Sequence, residues 1–183
     1  PDDYVMRFLP GILSRFAQDY PLINVEVHCE PSAQLLQRND LDLTIVTRKP
    51  GSERGQILRQ ERFVWMVAQG FSPHEQTPLP LAMFNTECFC RIWACNALDA
   101  LQREYRVAYT SASLAAINAV VSTGLAVTAQ LESLLTPDLR IVGEAENLPL
   151  LPTASIVLLR KATTTPSPII ECFAQYIIDG FKP

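Results

Sequence analysis

The residues best equipped for chemistry are five cysteines, two histidines and several hydroxyl side chains placed at the starts of helical patterns. Cys88 and Cys90 form a CxC pair with Cys95 close behind, while Cys29 and Cys172 stand apart. Three clustered thiols invite a metal or redox reading. A zinc site of the common type needs a matching CxxC or HxxxH partner. The only histidines, His28 and His74, lie far off in sequence. No metal is therefore expected, and the thiols read either as idle core groups or as a redox pair. A Ser–His–Asp arrangement would have to use His28, on the polar side of a predicted strand, or His74, in a proline-containing loop. Neither suits a cleft base. GxSxG, HExxH, GxGxxG and P-loop patterns are missing from the sequence. The reading is a chain with no catalytic residue and no cofactor.

Ser32, Ser111 and Ser113 offer a different chemistry. Each stands just before or at a helical pattern, where free N–H groups suit carboxylates and other anions. The same serines can act simply as helix caps, and capping does not exclude a ligand contact.

The elements that must position these groups alternate helix and strand, which predicts mostly parallel sheets. Val5, Phe8, Leu9, Ile12, Leu13 and Phe16 follow the spacing of one helical face. Asp2 and Asp3 suit that helix's positive end, Pro10 starts its main body or kinks it, and Tyr20-Pro21 ends it. Ile23, Val25, Val27 and Cys29 alternate with Asn24, Glu26 and His28, which predicts a half-buried strand. Ser32 is read as capping a short helix through Leu35 and Leu36, with Asn39 tolerating a left-handed exit. A strand over 41–46 leads to the turn Lys49-Pro50-Gly51-Ser52. Two strands follow at 56–59 and 62–68. Gly70 to Pro80 reads as a crossing between lobes.

A second series begins at Leu81. It comprises a strand to Phe84, a helix carrying Phe89, Ile92, Trp93, Ala97 and Leu101, and a strand over 106–110. The next helix, carrying Leu114, Ile117 and Val121, stops at Gly124. Strands at 125–128, 139–142 and 154–159 follow, the last able to cross back. A final helix has Ser167 as cap and Pro168 at its first position. Trp65 and Trp93 read as core. The first helix has no strand before it, so the chain reads as part of something longer.

Bulk properties narrow the classes. The chain has 183 residues, 48% of them apolar, and a net charge of −4. That balance disfavours gripping nucleic acid, which needs a basic face. No apolar run approaches the roughly 20 residues that span a bilayer, so no membrane is expected. Pro1, Asp2 and Asp3 are the opposite of a signal peptide's positive start, although a trimmed exported chain would look the same. Five irregularly spaced cysteines make a poor disulfide framework and are easiest to keep in a reducing cytosol. A cytoplasmic location is expected.

Phe8-Leu9-Pro10-Gly11-Ile12-Leu13-Ser14-Arg15-Phe16, then Tyr20-Pro21, then Val25-Glu26-Val27 resembles the opening of LysR-type regulator effector domains. Ser32 with Leu35 and Leu36, followed by Leu41-Asp42-Leu43-Thr44-Ile45, is similar to the family's next signature. Arg106 to Leu114, with Ala119 to Val127, resembles its second-lobe strand, helix and glycine turn. Asn39 stands where the family usually has glycine, Ala126 replaces the turn's second glycine, and Gln130 stands near a missing proline.

The resemblance implies an α/β fold of periplasmic-binding-protein type II, with two Rossmann-like lobes joined by two crossing strands. Lobe I is expected at 1–71 plus 158–183 and lobe II at 72–157. The family's N-terminal winged helix-turn-helix is absent from this chain, as is the sensing domain's first strand. The implied function is effector binding and dimerisation for a LysR-type DNA-binding transcription regulator. A small molecule, a carboxylate among the candidates, is sensed in the inter-lobe cleft and alters dimer or tetramer geometry. DNA is reached only through the absent domain.

Clefts of open α/β sheets are lined from strand carboxyl ends and helix starts. That rule selects Ser32 and its neighbour Ala33, Arg48, Asn85, Thr86, Ser111, Ser113 and Thr128 as ligand-binding candidates. Arg48 can pair with a carboxylate or be a solvated loop charge. Asn85, Thr86 and Thr128 can supply neutral hydrogen bonds or be ordinary strand ends. Asp2 and Asp3 fall near the cleft in the family fold. The alternatives are a stand-alone solute-binding protein of the same fold, a thiol-based redox sensor, and an enzyme on this fold, such as a deaminase-like or prephenate-dehydratase-like protein.

Overall fold

The structure, a computed structural model, describes residues 2–49, 51, 54–162 and 167–182. The side chains of Asp2 and Asp3, together with Pro50 and Ser52 of the expected turn, lie outside the described residues. Two compact units emerge, one of residues 1–60 with 154–183 and the other of 61–153. The chain passes between them inside two strands. The first division falls within β2, which runs unbroken from Gln56 to Ala68 where two strands were expected. A polar Gln60-Glu61 pair does not interrupt a strand when Glu61 is itself buried. The second passage falls at the start of β7 (Thr153–Arg160).

In the first unit, α1 (Asp2–Arg7) and α2 (Leu9–Asp19) are separate helices, with Pro10 in the first turn of α2. Proline fits there because its missing N–H would have no intrahelical partner. The three-four spacing buries Ile12 and Phe16 against α6 (Pro168–Gly180). Phe16 meets Phe173 at 4.5 Å and Tyr176 at 5.4 Å between ring centroids, and Phe8 stacks on Phe181 at 4.2 Å. The helices approach so closely that a Cβ on Gly180 would lie 2.3 Å from Ile12 Cγ1. β1 (Leu43–Arg48) pairs antiparallel with β7, from Leu43↔Arg160 to Arg48↔Ser155.

Three expectations fail in this unit. Residues 23–30 form no strand, and Ile23, Val25 and Val27 are exposed. Alternation gives a segment a strand's pattern, but a strand exists only when a neighbour supplies the ladder hydrogen bonds. Ser32 is not a cap. Pro31 holds the cap position of α3 (Ser32–Leu35), and the Ser32 hydroxyl points elsewhere. Asn39 takes no left-handed conformation, since the non-glycine residues of positive φ among those described are Gln102 and Asn147. Ser167 does occupy the cap position of α6, but its side chain makes no capping bond.

The second unit contains β3 (Leu79–Met83), α4 (Phe89–Ala100), β4 (Tyr105–Thr110), α5 (Leu114–Ser122), β5 (Thr128–Leu131) and β6 (Leu139–Val142). β3 and β5 are buried along their whole length, while β4 and β6 are partly exposed. Trp65, Val67, Leu81, Met83, Val127 and Ala129 pack with Ala94 and Leu98 of α4. The alternate residues Met66, Ala68, Ala82 and Ala126 pack with Ile117 and Val121 of α5. Period-two alternation thus feeds two separate cores. Trp65 is buried and donates to the Pro149 carbonyl at 2.8 Å, while Trp93 is half-buried. α5 ends as expected, with Gly124 at φ +77°.

The sheets are less parallel than the βα rhythm suggested. β2 pairs antiparallel with both β5 and β6, while β3 and β4 pair parallel and Leu81 and Val127 form a parallel bridge. A helical crossover, here α4, yields parallel neighbours, whereas short returns yield antiparallel ones.

Candidate functional site

The candidates of the first unit sit by the carboxyl end of β1 and most of those of the second unit follow β3 and β4, whereas Thr128, expected to end a strand over 125–128, instead opens β5. In the first unit, β1 ends at Thr47-Arg48, and α3 packs against it. The Thr47 N–H donates to Ser32 Oγ at 3.1 Å. The Thr47 hydroxyl is hydrogen-bonded to the Tyr4 hydroxyl from α1. Ser32 and Thr47 are both buried, and Ala33 is half-buried next to them. Arg48 follows with its Nε buried and without a partner. A guanidinium N–H withdrawn from water without an acceptor costs free energy, and an incoming carboxylate or carbonyl oxygen would relieve that cost.

In the second unit, Met83 of β3 pairs with Thr110 of β4, and the Ser111 N–H donates to the Met83 carbonyl at 3.2 Å. Val127 lies on the other side, giving its carbonyl to the Ala82 N–H at 2.9 Å. Asn85, Thr86, Ser111, Ser113 and Thr128 are thereby brought to one end of neighbouring strands. Ser113 caps α5, its Oγ accepting from Ala116 N–H at 3.5 Å, and Ser111 Oγ accepts from Ser113 N–H at 3.1 Å. Asn85 and Thr86 are exposed on a loop whose Cys88 N–H donates to the Asn85 carbonyl. Arg91 braces both strand ends, reaching the Phe84 carbonyl at 3.1 Å and Thr110 Oγ1 at 3.3 Å.

Thr128 is fully buried with no partner for its hydroxyl, and Gln130, two residues on, is buried with its Oε1 unpartnered. Residues two apart share a strand face, here the α5 face that Ala126 also lines. The Gln130 amide donates to Asn118 Oδ1 on α5 at 2.8 Å. Tyr4, Thr47, Asn118 and Gln130 were not selected from sequence. Thr47 was within reach of it, standing beside Arg48 at a strand end. The other three join through distant pairing that no local pattern records.

His28 stands between Glu26, at 3.0 Å, and Arg38, at 3.3 Å. His74 is buried on a short turn with Nδ1 unpartnered. Burial, then a hydrogen bond with the Cys95 thiol, pushes the Tyr105 phenol up to about 12. No group of three or more His, Cys, Asp or Glu able to hold a metal occurs among the described residues. No described helix is long and apolar enough to cross a membrane. A largely apolar groove in the first unit is lined by Val25 to His28 on one side and Leu43 to Ile45 on another. None of the sequence-selected ligand residues lines it.

Comparison with known proteins places these clusters in context. DgdR of Burkholderia cepacia, an HTH-type transcriptional regulator, is 36% identical over 180 residues, which cover 97% of this chain and 61% of DgdR. PecT of Dickeya dadantii, also an HTH-type transcriptional regulator, is 28% identical over 163 residues, covering 87% of this chain and 52% of PecT. The chain thus spans between half and two thirds of these relatives. The regulatory domain of CcmR from Synechocystis PCC6803, in complex with 2-PG, superposes with a TM-score of 0.77 at 20% identity, covering 97% of this chain and 93% of that one. The fold is that of LysR regulatory domains, the periplasmic-binding-protein-like type II fold. The model of the LysR substrate binding domain matches residues 1–182, and the chain belongs to that family.

Proposed function

We propose that this chain is the effector-sensing domain of a LysR-type transcription regulator acting in the bacterial cytoplasm. Ser32, Ala33 and Arg48 of the first unit, and Asn85, Thr86, Ser111, Ser113 and Thr128 of the second, recognise a small molecule. Its binding shifts the geometry of a dimer or tetramer, and DNA is engaged by a helix-turn-helix domain outside this sequence. A ligand drives such a shift only by its differential affinity for the two states. The activity is coupling, not turnover.

The observation that carries the reading is the pair of unpartnered buried polar atoms, Arg48 Nε and Thr128 Oγ1, one at a candidate cluster in each unit. Buried polar groups normally find partners, and a ligand is a partner that the polypeptide alone does not supply. Arg48 favours a ligand bearing a carboxylate or another anionic oxygen. That the similar CcmR domain holds 2-PG supports a small-molecule effector.

The test is thermal stability against a panel of small carboxylates, phosphates and neutral metabolites. A saturable rise in melting temperature with one class is expected, lost in Arg48→Gln at unchanged unliganded stability. A rise that survives Arg48→Gln would move the site elsewhere. Conversion of the ligand during the assay would favour an enzyme.

A further inference from the structure

We propose that Cys88 and Cys90 form a peroxide-responsive dithiol that closes to a disulfide at the start of α4. The two Sγ atoms lie 3.0 Å apart and are not joined by a disulfide. A disulfide bond is about 2.05 Å long, so closing it needs a movement of only about 1 Å.

Their placement divides the labour. Cys88 is half-buried and occupies the cap position of α4, a helix of 12 residues. A helix N-terminus carries partial positive charge, which favours the thiolate that attacks an oxidant. Cys90 is 4% exposed, screened from oxidant and held against its neighbour. That is the position of a resolving thiol.

The chemistry balances with a hydroperoxide as oxidant. The Cys88 sulfur attacks one peroxide oxygen, the O–O bond breaks, and Cys88 becomes a sulfenic acid as the first water leaves when the oxidant is hydrogen peroxide. The Cys90 sulfur then attacks the Cys88 sulfur, the S–O bond breaks, and a second water leaves with the Cys90 proton. Two electrons from the sulfurs reduce one peroxide.

The disulfide has a route to the rest of the unit. The Cys88 N–H holds the Asn85 carbonyl at 3.0 Å, and the Cys88 carbonyl accepts from Ile92 N–H at 3.1 Å. Fixing Cys88 to Cys90 therefore fixes the loop at the carboxyl end of β3. The redox step itself stands whether or not Asn85 and Thr86 touch an effector.

Sequence makes the test unusually clean. The tryptic peptide Phe63–Arg91 contains Cys88 and Cys90 and no other cysteine, whereas Cys95 falls in Ile92–Arg103. The reduced 183-residue chain is treated with equimolar hydrogen peroxide, blocked with N-ethylmaleimide and digested. The expected result is Phe63–Arg91 without alkylation and about 2 Da lighter, with Cys29, Cys95 and Cys172 alkylated. Cys95→Ser should leave that result intact. Cys90→Ser, or Cys90→Ala if the first is poorly folded, should trap a Cys88 sulfenic acid as a dimedone adduct. Cys88→Ser should slow peroxide consumption about tenfold. Double alkylation of Phe63–Arg91, added oxygen without loss of hydrogen, or a cross-link to Ile92–Arg103 or to a second chain would each overturn the proposal.

Discussion

The two units solve the burial problem differently. In the second, β2 sends Trp65 and Val67 to one core and Met66 and Ala68 to another, so a helix covers each face. In the first, Ile23, Val25 and Val27 carry a strand's alternation yet stay on the surface, beside an apolar groove that Leu43 to Ile45 also line. The first unit buries an aromatic seam between α2 and α6 and a separate aliphatic cluster of Leu35, Val46 and Val157. Identical patterning therefore has different worth depending on whether a ladder partner and a covering helix are present.

The seam should be the most sensitive place in the molecule. Phe16→Ala removes contacts with Phe173, Tyr20 and Tyr176 and should cost about 3–5 kcal/mol. Hydrogen exchange of the α2 and α6 amides would report it, and loss of protection at β2 and β5 alone would break the comparison. A matched pair sharpens it. Val67 is wholly buried and Val27 is 45% exposed. Val67→Thr should cost about 1–3 kcal/mol by burying a hydroxyl, and Val27→Thr less than about 0.5 kcal/mol, both read by urea unfolding. A large cost for Val27→Thr would mean that Ile23–Cys29 is a paired strand in solution.

Thr128→Val should act in the opposite sense. Removing an unpartnered buried hydroxyl should raise stability by up to about 1 kcal/mol while weakening effector binding. Destabilisation instead would show that the hydroxyl already has a partner in the protein.

The smallest effect concerns two phenols. Burial leads in raising Tyr105 to about 12, while a hydrogen bond to Asp19 leads in raising Tyr176 to about 12. A raised phenol contributes stability that is complete below its unfolded value near 10 and is lost as pH climbs toward 12. Asp19→Asn should return Tyr176 toward 10 and leave Tyr105 unmoved in a 295 nm titration. Equal movement of both would contradict the assignment of causes.

How much could be read from sequence follows from the range of each interaction. α2, α5 and α6 were legible because helical spacing, Pro10, Gly124 and Pro168 are local signals. Ile23–Cys29 misled because a strand's existence is decided by neighbours elsewhere in the chain. Ser32 was expected to cap its own helix. Its hydroxyl serves the N–H of Thr47, 15 residues away, and not its own helix. Thr128 was expected to close a strand and instead opens β5, and the amide pair Gln130–Asn118 depends on β5 and α5 meeting in space.

One feature of the chain's division bears on how the protein is made. The first unit is built from residues 1–60 and 154–183, with the whole second unit between them. At ordinary synthesis rates of roughly 5–20 residues per second, Ile12 and Phe16 wait on the order of ten seconds before Ala174 and Ile177 exist to cover them. The second unit, continuous in sequence, can close during that interval. A ribosome-bound chain thus presents an unburied apolar α2 beside a finished neighbour, and α6 is the segment whose arrival ends its exposure to chaperones and proteases.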